Sequence, residues 1–351
     1  MHQIYLELEQ HTYKHKAPFK LESGEELPRF ELLYHTWGKL NENKDNVIWI
    51  CHALTANSEA SDWWDGMIGE GKLFDPSKYF IICHNMFGSC YGSTSPLSTN
   101  PITQKLYLRD FPQYSTRDSA NAVDALRKDL EIEKIHSLVG GSMGGMVALE
   151  WSIAQPEVFE NLVLLATTAF MSPWGIALNE TQRMCIESDT TWYDEDNAEG
   201  GKAGLRAARA VALLSYRNYE AYKNTQSETD IEKIDNFRAQ SYQVYQGEKL
   251  IKRFNTHSYY FLTKAMDAHQ VGRGRWSVEK ALKLITANTV VIGISSDMLF
   301  PVEEQKYIAD HVTGADYYEI DSFYGHDGFL IETKEITDIL KGFYFKHQVN
   351  I

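Results

Sequence analysis

A serine, an aspartate and a histidine in this 351-residue sequence have the residue types and the chain order of a site for acyl transfer. Ser142 follows the apolar run Leu138-Val139 and has glycines on both sides, in Gly140-Gly-Ser-Met-Gly144. The glycines indicate a turn that is too tight for Cβ atoms, so the serine is held strained and exposed between a strand and a helix. Because a bare Gly-x-Ser-x-Gly pattern also arises by chance, the strand and helix around it are what favour a nucleophile.

A serine hydroxyl attacks efficiently only when a base takes its proton and a carboxylate orients that base. Asp297 is the predicted acid because it ends a buried apolar strand, whereas most other acids after Ser142 lie on polar helix faces. His326 is the predicted base because it lies after the last strand, in a loop between two glycines. The sequence therefore predicts a triad of Ser142, Asp297 and His326.

The oxyanion of a tetrahedral intermediate needs two N–H donors. One is predicted to be the backbone N–H of Met143, the residue after the serine. The other is predicted to be the backbone N–H of Leu54, in the segment Cys51-His-Ala-Leu-Thr55 after an apolar strand. An ordinary exit from a strand would give the same pattern at Leu54, so both interpretations of this segment stay open.

Alternating apolar runs and helical segments are expected to place these residues at one edge of a mostly parallel sheet with helices on both faces. The predicted strands lie at 46–54, 79–84, directly before Ser142, and at 161–167, 288–295 and 317–320. The predicted helices lie at 118–130, 146–154 and 333–345. Residues 19–37 are predicted to form a hairpin around Ser23-Gly-Glu25. The fold class is α/β.

The alternation stops between residues 172 and 285, a stretch that is helical, polar and rich in Tyr, Arg, Glu and Gln. Helices inserted between two strands of a sheet are typical of a lid. We therefore expect a core formed by residues 1–171 and 286–351, with a helical lid at 172–285.

Composition argues against several other classes of protein. The net charge is -14 and no basic stripe is present, so neither nucleic acid nor an anionic membrane is an expected partner. Met1–Leu21 lacks a continuous apolar core, so no signal peptide or membrane span is expected there. A cytoplasmic location is therefore expected. The four cysteines fit neither a disulfide framework nor a zinc site and are expected to be buried thiols.

Other chemistries lack their motifs. Gly272-Arg-Gly274 begins like a dinucleotide fingerprint, but the third glycine and a preceding strand are missing. His35, His52 and His84 are expected to be packed or hydrogen-bonded side chains rather than metal ligands, so no metal site is predicted.

Several segments share a pattern that is far more specific than the serine turn alone. They are Gly140–Trp151, Cys51–Thr55, Gly88–Thr94, Leu214–Arg217, Tyr245–Glu248, Ser296–Pro301 and Gly325–Asp327. Together, over nearly the whole chain, they resemble the homoserine O-acetyltransferases of the α/β-hydrolase fold.

The resemblance implies an α/β-hydrolase fold and a ping-pong reaction. Ser142, deprotonated by His326, would take the acetyl group of acetyl-CoA, and the side-chain hydroxyl of L-homoserine would then accept it. The product would be O-acetyl-L-homoserine, an intermediate of methionine synthesis. Acetyl-CoA would be a co-substrate, no permanently bound cofactor is expected, and a homodimer through the lid helices is implied.

The resemblance also implies which residues hold the amino acid, namely Arg209, Tyr216 and Asp327. Arg209 can fork onto the carboxylate, and Asp327 can pair with the ammonium. Without the family pattern, Arg209 would be interpreted as a solvated arginine on a helix.

Two departures from the family pattern bear on the choice of substrate: Ser95 replaces a usual glycine, and Ala56-Asn57 replaces glycine and a small polar residue. Tyr91 is expected to fill the space where a succinyl carboxylate would need a cation, which favours acetyl. A succinyl-CoA-dependent transferase acting on homoserine or serine, and a serine esterase, are the alternatives. A complete triad argues against a ligand-binding relative without activity.

Overall fold

The computed structural model describes residues 8–347 of the chain. Its strands are β1 (Glu9–His15), β2 (Phe19–Lys20), β3 (Glu26–Leu27), β4 (Phe30–Trp37), β5 (Val47–Cys51), β6 (Phe80–His84), β7 (Ile135–Gly141), β8 (Phe159–Leu165), β9 (Asn288–Ile294) and β10 (Asp316–Ile320). Strands β2 and β3 pair with each other, and the other eight form one sheet in the order β1-β4-β6-β5-β7-β8-β9-β10. Strand β4 runs antiparallel to both of its neighbours, and every pair from β6 to β10 is parallel.

The α-helices are α1 (Ala60–Trp63), α2 (Thr116–Asp129), α3 (Met143–Ala154), α4 (Pro173–Glu187), α5 (Lys202–Tyr216), α6 (Tyr219–Gln226), α7 (Arg238–Ile251), α8 (Thr256–Asp267), α9 (Val278–Leu282), α10 (Val302–His311), α11 (Gly328–Ile331) and α12 (Thr333–Lys346). Short 3-10 helices lie at Leu108–Asp110, Thr190–Tyr193 and Gly325–Asp327. Helices α4 to α9 all lie between β8 and β9. Among the described residues, no helix is both long and apolar enough to cross a membrane.

The central strands are buried on both faces, which explains their continuous apolar sequences. In β5, Val47, Trp49 and Cys51 belong to one apolar cluster, and Ile48 and Ile50 belong to a second cluster on the opposite face. Because β5, β7, β8 and β9 are parallel, their carboxyl ends meet at the same edge of the sheet. That edge is where a ligand crevice of an open α/β sheet normally lies.

Most predicted elements are confirmed within one to three residues. Strands β5 to β10 and helices α2 and α12 lie where the apolar patterns predict them, and α3 begins at Met143, directly after the serine. The predicted hairpin is wrong in extent, because only β2 and β3 pair across Ser23-Gly-Glu25. Pro28, which has no N–H to donate, follows β3, and Phe30–Trp37 joins the main sheet as β4.

Strand β1 was not predicted, because its side chains are exposed or only half-buried and carry little apolar signal. It lies within the stretch Met1–Leu21, of which residues 1–7 are outside the described residues.

Candidate active site

Ser142 occupies a strained turn between β7 and α3. Its φ of 54° and ψ of −125° lie outside the regions that most residues adopt. The neighbouring glycines are required by space, because a Cβ at Gly144 would collide with the carbonyl oxygen of Cys51 and one at Gly141 would collide with the ring of Phe329. The turn therefore holds the start of α3 directly against the end of β5.

The three residues of the predicted triad lie in one hydrogen-bonded chain. His326 Nε2 lies 2.8 Å from Ser142 Oγ, and His326 Nδ1 lies 2.6 Å from Asp297 Oδ2. Asp297 Oδ1 accepts hydrogen bonds from the backbone N–H groups of Leu299 and Phe300, at 2.8 and 3.0 Å. These two bonds fix the carboxylate, and the carboxylate in turn fixes the imidazole with Nε2 toward the serine.

The charge state of His326 follows from two opposed effects. Burial disfavours the imidazolium, but the carboxylates of Asp297 and Asp327 outweigh burial and raise the pKa of His326 above its ordinary value. The site is thus prepared to hold a proton taken from the serine hydroxyl.

The two predicted oxyanion donors flank the serine. Met143 is the first residue of α3, so its N–H has no acceptor within the helix. Leu54 lines the same cavity as Ser142, and within residues 8–347 its N–H donates to no other group. Buried His52 supports this loop, since its Nδ1–H donates to the Ala53 carbonyl at 2.7 Å while its Nε2 accepts from the Met86 N–H. Burial lowers the pKa of His52 to about 4, so it stays neutral.

A cavity of about 280 Å³ opens above Ser142. Its lining includes a set of charged and aromatic side chains: Asp62, Trp63, Tyr91, Arg209, Tyr216, Arg253, His326, Asp327 and Phe329. Positive and negative groups therefore face the same small volume, as a zwitterionic ligand would require.

Arg209 and Tyr216, two of the residues predicted to bind the amino acid, lie seven residues apart on α5, so they share one face of the helix. The Arg209 guanidinium lies 5.3 Å from the centre of the Tyr216 ring, and that ring lies 5.8 Å from the His326 ring. Among the described residues, Arg209 forms no ion pair with a carboxylate of the chain. Its two-pronged donor is free for a ligand carboxylate.

Asp327, the third residue predicted to bind the amino acid, also lines the cavity, but its carboxylate already forms an ion pair. Its Oδ2 lies 3.1 Å from Nη2 of Arg217, the residue directly after α5. Arg217 lies in the segment Leu214–Arg217 that carries the family resemblance, yet nothing in the sequence indicated its partner.

A second arginine at the cavity was also not predicted from the sequence. Arg253, in the loop between α7 and α8, donates from Nη1 to the Thr55 carbonyl at 2.5 Å and to the Tyr91 hydroxyl at 3.1 Å. A cation does lie beside Tyr91, so the sequence argument that this space lacks one is wrong. Ser95, which was expected to bear on the choice of substrate, closes the turn to Ser98 and does not line the cavity, whereas Ala56 and Asn57 do.

The remaining histidine and cysteine predictions are confirmed in part. His35 Nδ1 lies 2.7 Å from Ser58 Oγ, and His84 accepts from the Trp49 indole, so with His52 all three histidines are hydrogen-bonded. All four cysteines are free thiols. Cys51 and Cys83 are buried, but Cys90 and Cys185 are only half-buried, because their loop and helix lie nearer the surface.

Comparison with known proteins gives this geometry a family. A family model for the α/β-hydrolase fold matches residues 46–333. The homoserine O-acetyltransferase of Cyclobacterium marinum is 51% identical over 344 residues, which are 98% of this chain and 97% of that protein. The chain belongs to the homoserine O-acetyltransferase family. The enzyme of the same name from Chlorobaculum parvum is 44% identical and covers 93% of this chain and 92% of its own length.

Solved structures agree on the fold. Homoserine O-acetyltransferase from Bacillus anthracis is 26% identical and superposes with a TM-score of 0.86 over 94% of this chain and 97% of that one. Esterase E22, at 22% identity and a TM-score of 0.85, shares the fold over 96% of this chain and 100% of its own. The predicted α/β-hydrolase fold is thereby confirmed.

Proposed function

We propose that the chain is a homoserine O-acetyltransferase that works in two half-reactions. In the first, His326 Nε2 takes the proton of Ser142, and Oγ attacks the thioester carbonyl of acetyl-CoA. The C–S bond breaks, and His326 returns its proton to the leaving thiolate. The products are acetyl-Ser142 and free CoA, and the N–H groups of Leu54 and Met143 stabilise the oxyanion between them.

In the second half-reaction the acceptor replaces the thiol. L-homoserine gives its hydroxyl proton to His326 and attacks the acetyl carbonyl, and Ser142 Oγ leaves and takes the proton back. The product is O-acetyl-L-homoserine, a precursor for methionine synthesis. Arg209 binds the carboxylate of the acceptor, Tyr216 packs beside it, and Asp327 pairs with its ammonium.

The observation that carries this proposal is the Asp297–His326–Ser142 hydrogen-bond chain at the floor of a cavity that presents Arg209 and Asp327 together. Hydrolysis of a simple ester does not require a guanidinium and a carboxylate that can bind an amino acid, as Arg209 and Asp327 can. Relatives of the same name over nearly the full chain support the transferase over the alternatives.

We also propose how the molecule is organised around this site. Residues 172–285 act as a lid on a core of residues 1–171 and 286–351, and the enzyme works in the cytoplasm as a homodimer through the lid. Support comes from exposed apolar side chains on the neighbouring helices α5 and α7, among them Leu214, Val244 and Tyr245. Sedimentation that gives the mass of a single chain would contradict the dimer.

The test is to incubate the pure protein with acetyl-CoA or succinyl-CoA, with and without L-homoserine or L-serine, and to follow free thiol and ester product. We expect sustained thiol release only with acetyl-CoA and L-homoserine together, with one ester formed per thiol. Sustained thiol release without an acceptor would make the protein a hydrolase. No release under any condition would contradict the enzyme.

A further inference from the structure

The end of helix α5 is docked against the loop that carries His326. Gly325 has a φ of 67°, and a Cβ there would lie 2.7 Å from the carbonyl oxygen of Tyr216 and 3.2 Å from the backbone of Arg217. The 3-10 helix Gly325–Asp327 is therefore packed directly against the last turn of α5. The residues of that turn lie next to the candidate base, His326.

Arg217 reaches Asp327 from behind the acceptor cavity. Asp327 lines the cavity above Ser142, whereas Arg217 lines a separate cavity of about 170 Å³ together with Tyr222, Tyr242 and Tyr324. Its guanidinium also lies 5.8 Å from the centre of the Tyr324 ring, which limits its movement. Arg217 can therefore hold one oxygen of the Asp327 carboxylate and leave the other for a ligand.

The ion pair between Arg217 and Asp327 affects how the charges in the cavity can interact. Arg209 and Asp327 carry opposite charges, and both line the same small volume beside Tyr216. If they paired with each other, both recognition charges would be cancelled before an acceptor arrived. Within the described part of the chain, Asp327 forms its ion pair with Arg217 and not with Arg209.

We propose that Arg217 is a positioning residue that orients Asp327 toward the ammonium of the acceptor and keeps it from pairing with Arg209. The inference rests on the proposed function and deepens it, because it assigns a determinant for α-amino acceptors over hydroxy acids. Arg217 itself touches neither substrate.

The experiment separates the half-reactions and compares two acceptors in wild type and Arg217→Gln. L-homoserine and 4-hydroxybutyrate share a carboxylate and a hydroxyl, and only the former has an ammonium. We expect the acylation rate with acetyl-CoA to stay unchanged. The kcat/KM should fall for both acceptors, because Asp327 released from Arg217 pairs with Arg209, but it should fall further for L-homoserine, which also loses the contact with its ammonium. The preference for L-homoserine should fall by about tenfold or more, mainly through KM, as expected for loss of a charge-assisted contact.

Three further variants sharpen the reading. Arg217→Lys keeps the charge without the fork and should retain part of the preference. In an Asp327→Asn background, Arg217→Gln should have no further effect on the preference. The matched control is Arg206→Gln on the same helix. Arg206 forms an exposed ion pair with Glu248, and neither residue lines the cavity, so this variant should leave both acceptors unchanged.

An equal loss for both acceptors, or an unchanged preference in Arg217→Gln, would overturn the positioning role. If Arg217→Gln does not fold, the same two outcomes in Arg217→Lys decide the question. Failure of the proposed function gives a different result, since wild type would then form no acetyl-enzyme or would not pass acetyl to L-homoserine.

Discussion

At the scale of single residues, the proposed reaction depends on a histidine whose pKa is raised by neighbouring carboxylates. Because the pKa of His326 is raised, the neutral base is lost at a higher pH than for a free imidazole. The acylation rate should therefore fall as pH decreases through that raised pKa. Tyr216, the other titratable ring against His326, does not interfere, because burial raises the pKa of its phenol.

The variant Asp297→Asn tests this cause. It removes the stronger of the two carboxylate effects and leaves burial in place, so the pKa of His326 should fall and the acid limb of the rate profile should move to lower pH. The rate on the plateau should drop by about 10³ to 10⁴, because the imidazole loses its orientation. Stopped-flow acylation across pH gives both quantities.

Asp321→Asn is the matched control, because it makes the same chemical change near the same edge of the sheet but away from His326. Asp321 accepts a hydrogen bond from Ser295 Oγ. An acid limb that stays in place in Asp297→Asn would contradict the electrostatic explanation.

How well the site could be predicted from sequence differs between residues. Ser142, Asp297 and His326 each follow a strand and carry a local signal, either glycines or the end of an apolar run. The contacts of Arg217 with Asp327 and of Arg253 with the Leu54 loop join segments far apart in the chain. They depend on how the helices between β8 and β9 dock on the sheet, which no local pattern contains.

At the scale of elements, the glycines after Ser142 determine where α3 begins. Gly144→Ala should place a methyl group against the carbonyl oxygens of Cys51 and His52 and push α3 away from the Leu54 loop. We expect a loss of about 1–3 kcal/mol in the free energy of unfolding, together with loss of acylation. Urea unfolding and a burst assay measure the two effects.

Gly342→Ala provides the control for helix glycines. Gly342 lies inside α12, and a Cβ there would meet no atom within 4 Å. Alanine should stabilise the protein by up to about 1 kcal/mol and leave acylation unchanged. Equal effects of the two substitutions would mean that the close contact at Gly144 does not matter.

Strands were predicted well where both of their faces are buried and less well at the edge of the sheet formed by β1 and β4. Strand β5 is a continuous apolar run, as expected for a strand that is buried on both faces. The polar side chains of β1 gave no such signal, and the extent of the hairpin depended on which neighbour β4 would choose, a tertiary question.

At the scale of the whole molecule, Glu150 joins α3 to distant parts of the chain. Its carboxylate is almost fully buried and pairs with Arg117 of α2 at 2.9 Å and with Arg275, after α8, at 2.6 Å. Glu150→Gln leaves Arg275 without its carboxylate partner and Arg117 with Glu22 alone, so unfolding should become easier by about 3 kcal/mol. Asp338→Asn, at an exposed pair with Lys334, should change nothing measurable.

The same group gives a pH dependence of stability. Burial disfavours the Glu150 charge, but the hydrogen bond from Arg117 and the nearby positive charges outweigh it and lower the pKa of Glu150. Its stabilisation is therefore complete above the pKa of an unfolded glutamate and is lost as pH falls through the lower, folded pKa. Urea midpoints that fall equally with acid in wild type and Glu150→Gln would contradict this.

The most direct measurement is intact-protein and peptide mass spectrometry after mixing with acetyl-CoA and a chase with L-homoserine. We predict one acetyl group per chain on the peptide that contains Ser142, its absence in Ser142→Ala, and its transfer to L-homoserine during the chase. An acetyl group on another residue, or one that L-homoserine does not remove, would contradict the account.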